Sequence, residues 1–396
     1  MSPRKLKVIV SGYIATTPFG GKTWHCRNYI HCLQELGHDV VFLEDLLDAP
    51  FNPVQRWLPD GNSYGLRFLE EALSSCERPV PFAYHSKWDG RWYGLDREQL
   101  KEAMTKADIM VCVDAGVRMR REFPRPRLVI AIDVDPVYTQ LRMLSDPDYL
   151  EHYRQYDAVA TFGESIGTST CRVPTHGFAW IPTRQPVSLR HWPVVDEPSA
   201  PVFATLTTWS YGGGEYPFEG QIYRFAKDEQ WCAVLDLPRR VPWHMEIAVE
   251  TSGSPRTWGT SMPYTAQQTF RDRGWRLSEP LLPSLSGAGY REFISRCSGE
   301  FTVAKDNYVG VPSGWFGDRS PLFLSSGKPV VVQETGFSHW LPTGEGLFSF
   351  VDVAEAAGAL QEIARDYSRH ARSARRIAEE YFDGRKVLQD LLNRVL

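Results

Sequence analysis

The sequence predicts an α/β protein in two domains, each a parallel sheet with helices on both faces. Three observations point there. The chain has 396 residues, for which two domains are the default. Short apolar runs alternate with segments of helical period from the first residues onward. Between Pro182 and Pro201 that alternation breaks into a Pro-rich stretch, and then it starts again.

The elements follow in order. Lys7–Val10 is a strand, and a loop with Gly20 and Gly21 comes after it. Thr23–Leu36 is helical, because Trp24, Tyr29, Ile30, Leu33 and Leu36 recur mostly at three- and four-residue steps, and Gly37 stops it. Asp39–Leu43 is the next strand, which completes a βαβ start. Arg97–Lys106 is a helix. Ile109–Val113, Leu128–Ile132 and Ala158–Phe162 are strands that finish beside Asp114, Asp133 and Glu164. Carboxylates so placed lie at the C-terminal edge of the sheet, where open α/β folds bind ligands. The second half opens with a strand at Val202–Leu206. A helix around Glu219–Lys227, a strand at Cys232–Asp236 and a helix at Tyr290–Cys297 are expected next. Val241–Thr269 has no clean period. Ser313–Gly346 then reads as turn, short helix, Gly stop, apolar strand and Gly-rich loop, before a long helical C-terminal region.

Composition bounds the function. With 42% apolar and 23% charged residues the chain is an ordinary globular protein, and a net charge of −4 argues against a general nucleic-acid binder. No run approaches the roughly 18 apolar residues of a membrane helix, and the apolar run at the N-terminus is short for a signal peptide. Seven scattered Cys without a CxxC pair fit free thiols in a reducing cytoplasm rather than a disulfide frame or zinc site.

Two loops invite phosphate. Ala15–Thr23 (ATTPFGGKT) has the strand, Gly21, Lys22, Thr23 and helix of a phosphate loop, but Thr16 stands where the first Gly belongs. The milder reading is a Gly-rich turn that brings the first helix close to a substrate. Asp318, Arg319 and Ser320 open the short helix near the C-terminal end. Free N–H groups there, with the bidentate Arg319, suit a diphosphate; the bland alternative for Arg319 is a surface ion pair.

Ser313–Ser320, Leu324–Gln333 (LSSGKPVVVQ), Gly336 and Leu341–Gly346 (LPTGEG), with Gly20-Gly21 and Leu36–Asp45 (LGHDVVFLED), carry a resemblance. The chain resembles the nucleotide-sugar glycosyltransferases of the GT-B architecture, near the family 4 group. The resemblance implies two Rossmann-like domains facing a cleft. Residues 1–190 would form the acceptor domain and 191–370 the donor domain, with 371–396 crossing back as a helix. It implies transfer of a sugar from a nucleoside-diphosphate sugar to a hydroxyl or amine, with no metal and no cofactor beyond that co-substrate. The acceptor would be a small molecule or glycan. One departure stands out. Family members carry a spaced pair of Glu before the G-x-P-V-V strand, and Gly314 and Leu322 occupy those places here. Ribose and sugar contacts would then fall to Asp318 or Glu345.

On this footing the donor-binding set is Arg319, Ser320, Asp318, Lys305, Thr208, Gly317 and Glu345, and the acceptor-side loop is Gly20 and Gly21. Candidates for the base that activates the acceptor are His25, Asp133, Asp135 and Asp114, with N-cap and turn roles competing for the Asp residues. Arg319→Ala is expected to leave the fold intact and lower turnover greatly. Arg365, Arg369, Arg372 and Arg376 fall on one helical face at steps of four, three and four, and acidic neighbours make that face a solvated one. Rival readings are a glycosyltransferase acting on DNA bases, a nucleotide-sugar epimerase and a non-catalytic nucleotide-sugar sensor.

Overall fold

The computed structural model describes residues 4–46, 48, 50–54, 61–117, 119–195, 198, 200–252 and 260–396, with backbone alone at 211–213. The first lobe is built on β1 (Lys7–Ser11), β2 (Asp39–Glu44), β3 (Phe82–His85), β4 (Trp92–Gly94), β5 (Ile109–Val113), β6 (Val129–Asp133), β7 (Ala158–Thr161) and β8 (Ile181–Pro182). They form one sheet in the order β4-β3-β2-β1-β5-β6-β7-β8. Only β4 runs antiparallel to its neighbour. The order reverses between β1 and β5, the switch point where such sheets open a crevice. β5 and β6 are buried along their whole length, as continuous apolar runs in a doubly covered sheet should be.

The second lobe holds β9 (Val202–Leu206), β10 (Ser210–Phe218), β11 (Gln221–Ala226), β12 (His244–Ala248), β13 (Arg276–Ser278), β14 (Gly299–Thr302), β15 (Val330–Gln333) and β16 (Leu347–Phe350). Six of them make a parallel sheet ordered β13-β12-β9-β14-β15-β16. The other two, β10 and β11, pair as a separate antiparallel hairpin.

That hairpin overturns two sequence expectations. Glu219–Lys227 is not helical: Glu219 and Gly220 have φ of 50° and 79°, the left-handed pair of a tight hairpin turn. Gln221–Ala226 then runs as a strand, with Tyr223 and Phe225 both buried on one face. Cys232–Asp236 is not a strand either, since Asp228–Ala233 forms a short helix that buries Trp231. Within Val241–Thr269, β12 and the start of the Tyr264–Asp272 helix are the elements the sequence did not place, and residues 253–259 lie outside the described set.

The Pro-rich connection, of which 196, 197 and 199 are outside the described residues, packs tightly elsewhere. Trp192 is buried edge-on against Trp24 at 4.9 Å, and the Val187 N–H donates to the Phe382 carbonyl at 2.9 Å. The last helix, Gly384–Val395, returns to the first lobe and puts Leu388, Leu391 and Leu392 into its core. Gly384 makes that approach possible, because a Cβ there would sit 2.2 Å from the Cys32 sulfur.

Candidate active site

The parallel strands of both sheets direct their C-terminal ends into one cleft of about 320 Å3. From the first lobe it is lined by Thr17, Phe19, Gly21, Lys22 and Asp135. The second lobe supplies most of the wall, including Thr208, Lys227, Tyr290, Lys305, Gly317, Asp318, Arg319 and Ser320.

The loop after β1 explains why Lys22 does not head a phosphate cradle. Its backbone N–H groups point inward, as a phosphate loop requires, but they meet the protein's own carboxylate. Glu44, buried at the end of β2, accepts from Ile14 at 2.8 Å, Ala15 at 2.9 Å and Thr16 at 2.6 Å. Burial pushes the Glu44 carboxyl up while these bonds hold it back, and the net shift is upward. Lys22 instead donates to the Tyr13 hydroxyl at 2.8 Å and faces the cleft. Gly20 serves a contact between lobes rather than an acceptor: a Cβ there would lie 2.3 Å from the Ser286 carbonyl.

The four candidate bases separate clearly. Asp133 is 1% exposed and accepts from Thr139 at 2.7 Å, Gln140 at 2.8 Å and Thr161 at 2.9 Å. Burial raises it to about 6 despite those bonds. Its oxygens are engaged in holding the turn after β6, so it is structural. Asp114 accepts from the Tyr13 hydroxyl and does not line the cleft. His25 is buried between Tyr29 and Phe162, and its Nδ1 meets Asp318 at 3.0 Å across the lobes. This contact opposes the burial that would raise Asp318, and holds its carboxyl well below the usual range. His25 therefore positions Asp318 and is itself shielded from an acceptor. Asp135 alone of the four faces the cleft, with Lys305 at 3.1 Å and the Tyr308 hydroxyl at 2.5 Å. Burial pushes Asp135 up, but Lys305 and Tyr308 outweigh it and keep the carboxyl low. Two residues further on, Val137 adopts φ 71° while fully buried. A β-branched residue in that region marks a strained turn, which the packing around Asp135 sustains.

The second lobe gathers positive charge. Arg319 precedes the Ser320–Ser325 helix. Its Nε donates to Glu300 at 2.6 Å, its Nη1 to the Leu206 carbonyl at 2.5 Å, and its Nη2 to Thr302 at 3.4 Å. Glu300 has no exposed surface, so the guanidinium is braced from beneath by a buried carboxylate. Arg319→Ala would strand that charge, so a loss of stability is expected beside the loss of turnover. The helix has only six residues, so side-chain charge outweighs its dipole. Lys305 follows β14 and caps the Phe225 ring at 3.2 Å; burial lowers it, against the pull of Asp135. Lys227 follows β11 and was missed in the sequence because the hairpin was. Its ammonium has no hydrogen bond or ion pair among the described residues, and burial, then Arg319 and Lys305, lower it to about 7.

One donor-side expectation needs correction. Glu345 is turned away from the cleft, accepting from Ser373 at 2.5 Å and pairing with Arg376 at 3.5 Å. The Arg face divides between two helices, where Arg365 and Arg369 both pair with Glu362. Among the described residues no three His, Cys, Asp or Glu side chains are grouped to hold a metal ion, and no helix is long and apolar enough to cross a membrane.

The comparisons agree with this geometry. An alpha-glucosyltransferase in complex with UDP and a 13-mer DNA superposes with a TM-score of 0.58 at 10% identity, covering 99% of each chain. HepE of Anabaena, in complex with UDP and glucose, gives 0.53 at 11%, covering 98% of this chain and 99% of that one. Sucrose-phosphate synthase of Thermosynechococcus elongatus gives 0.55 at 14%, covering 99% and 98%. No protein-family model matches the chain, and a search of curated proteins finds no match. The whole-length likeness shows the fold: this is a GT-B protein, two Rossmann-like lobes facing a cleft.

Proposed function

We propose that the protein is a glycosyltransferase that moves a sugar from a nucleoside-diphosphate sugar to an acceptor hydroxyl or amine. The observation that carries this is the convergence of Lys22, Lys227, Lys305 and Arg319 on one cleft that Asp135, alone of the four candidate bases, also lines. As the bond between the sugar C1 and the diphosphate oxygen breaks, negative charge gathers on the leaving group, and fixed cations stabilise it. The new bond joins C1 to the acceptor, whose proton passes to Asp135. Lys305 links the two events. Once it turns to the diphosphate, Asp135 loses the charge that keeps its carboxyl low and becomes a better proton acceptor.

The donor needs no cofactor on this proposal, and the cations take the part a metal plays elsewhere. The seven cysteines are all free, which favours a reducing compartment, so the enzyme is proposed to be cytoplasmic. The HepE and alpha-glucosyltransferase folds bound to UDP support the donor class. DNA as acceptor is the second reading. It rests on the DNA-bound alpha-glucosyltransferase among the similar folds and calls for salt-dependent duplex binding.

A thermal-shift panel of nucleoside diphosphates and their sugars tests the donor reading. A true donor at about 100 times its Kd adds about 2.7 kcal/mol of stability, and its sugar should then appear on an acceptor. A panel with no stabilising member would end the proposal.

A further inference from the structure

The cleft differs from one end to the other. Lys305 and Asp135 meet where β14 faces the first lobe, and Lys227 and Arg319 lie beside β9 and β14. On the far side of β9 stand β12 and β13, and the wall there is Leu206, Pro280, Ser284 and Glu250. On the donor reading above, on which this inference rests, the diphosphate spans the cations and the sugar points to Asp135. The nucleobase then lies at the β12–β13 end, against that wall.

Glu250 is the one carboxylate among these residues. It is 4% exposed. Its backbone is fixed by the Met262 N–H, 2.8 Å from the Glu250 carbonyl, and its Oε1 accepts the Ser252 N–H at 2.8 Å. Its Oε2 is buried and has no hydrogen-bond partner among the described residues. A buried acceptor left unmet costs free energy, and Glu250 is one of the residues lining the cavity. A ligand that brings a donor removes the cost.

The bases differ in what they bring. Guanine presents two adjacent donors, N1–H and the N2 amino group. Adenine and cytosine present one amino group beside an acceptor nitrogen. Uracil presents one N–H between two carbonyls, which an acceptor-only carboxylate opposes. We propose that Glu250 selects guanine, and that the donor is a guanosine-diphosphate sugar.

Calorimetric titration of the full chain with GDP, IDP, ADP, CDP and UDP tests this. GDP is expected to bind about ten-fold or more tightly than IDP, which lacks the N2 amino group, and than UDP. Glu250→Gln is expected to collapse that ranking. UDP binding as tightly as GDP in the wild type overturns the proposal. So does a Glu250→Gln variant that weakens all five by one factor, since the carboxylate would then hold the ribose. Failure of all five to bind would overturn the donor reading itself, and this inference with it.

Discussion

The two lobes share a sheet architecture but treat charge at their strand ends in opposite ways. In the first lobe two of the strand-end carboxylates are consumed internally, and only Asp135 is left to the cleft. Glu44 fills the backbone nest after β1, and Asp133 ties down the turn after β6. In the second lobe Glu300 is buried beneath Arg319, which keeps a cation at the cleft wall, and Lys227 and Lys305 stand beside it. The same fold can therefore offer an anion site on either side. Which side does so depends on whether its strand ends supply their own anion.

The contrast can be broken by substitution, most strongly at Arg319. Arg319→Ala should both abolish turnover and destabilise the protein by about 3–5 kcal/mol, because Glu300 is left buried and unpaired. Urea unfolding measures the second effect; a variant as stable as wild type would show that Glu300 does not depend on its partner. Asp135→Asn should lower turnover by about 10²–10⁴-fold while nucleotide binding survives. Retained turnover in that variant would move the base elsewhere, with His25 still excluded by its burial.

Lys227 sharpens the comparison through pH. Its ammonium is lowered to about 7 in the free protein, so above that pH it must take up a proton to meet a diphosphate. Affinity for a nucleoside-diphosphate sugar should be full below pH 7 and fall as pH rises above it. Lys227→Ala should weaken binding at least ~10-fold, as loss of a charged hydrogen bond does, and flatten the pH profile. A pH-independent wild-type affinity would detach Lys227 from the phosphates. The smallest effect belongs to the first lobe. Glu44→Gln should cost about 1–3 kcal/mol of stability and leave nucleotide affinity unchanged in calorimetry. A large loss of affinity there would mean that the nest serves the donor after all.

Much of this was legible in the chain. The short, Val/Ile-rich apolar runs of β1, β5 and β15, bounded by turn residues, announce buried parallel strands. Arg319 was found from the short helix it opens, and Lys305 from the strand it follows. The hairpin was misread because Gln221–Ala226 is short, and a short run does not separate the two periods. Lys227 was lost with it.

Local sequence settled most element types outside the β10–β11 hairpin and the helix after it, the strand-end placement of the acids and the absence of any long apolar span, since these rest on periodicity and composition. It did not settle which acids face the ligand. Asp133 and Asp135 sit two residues apart on one turn, yet one is bound on all sides and the other opens to the cleft. Glu44 filling a nest, Glu300 bracing Arg319 and Glu250 left with an unmet oxygen depend on groups brought together by folding. A hydrogen bond acts over about 3 Å, and only the tertiary structure decides who stands that close.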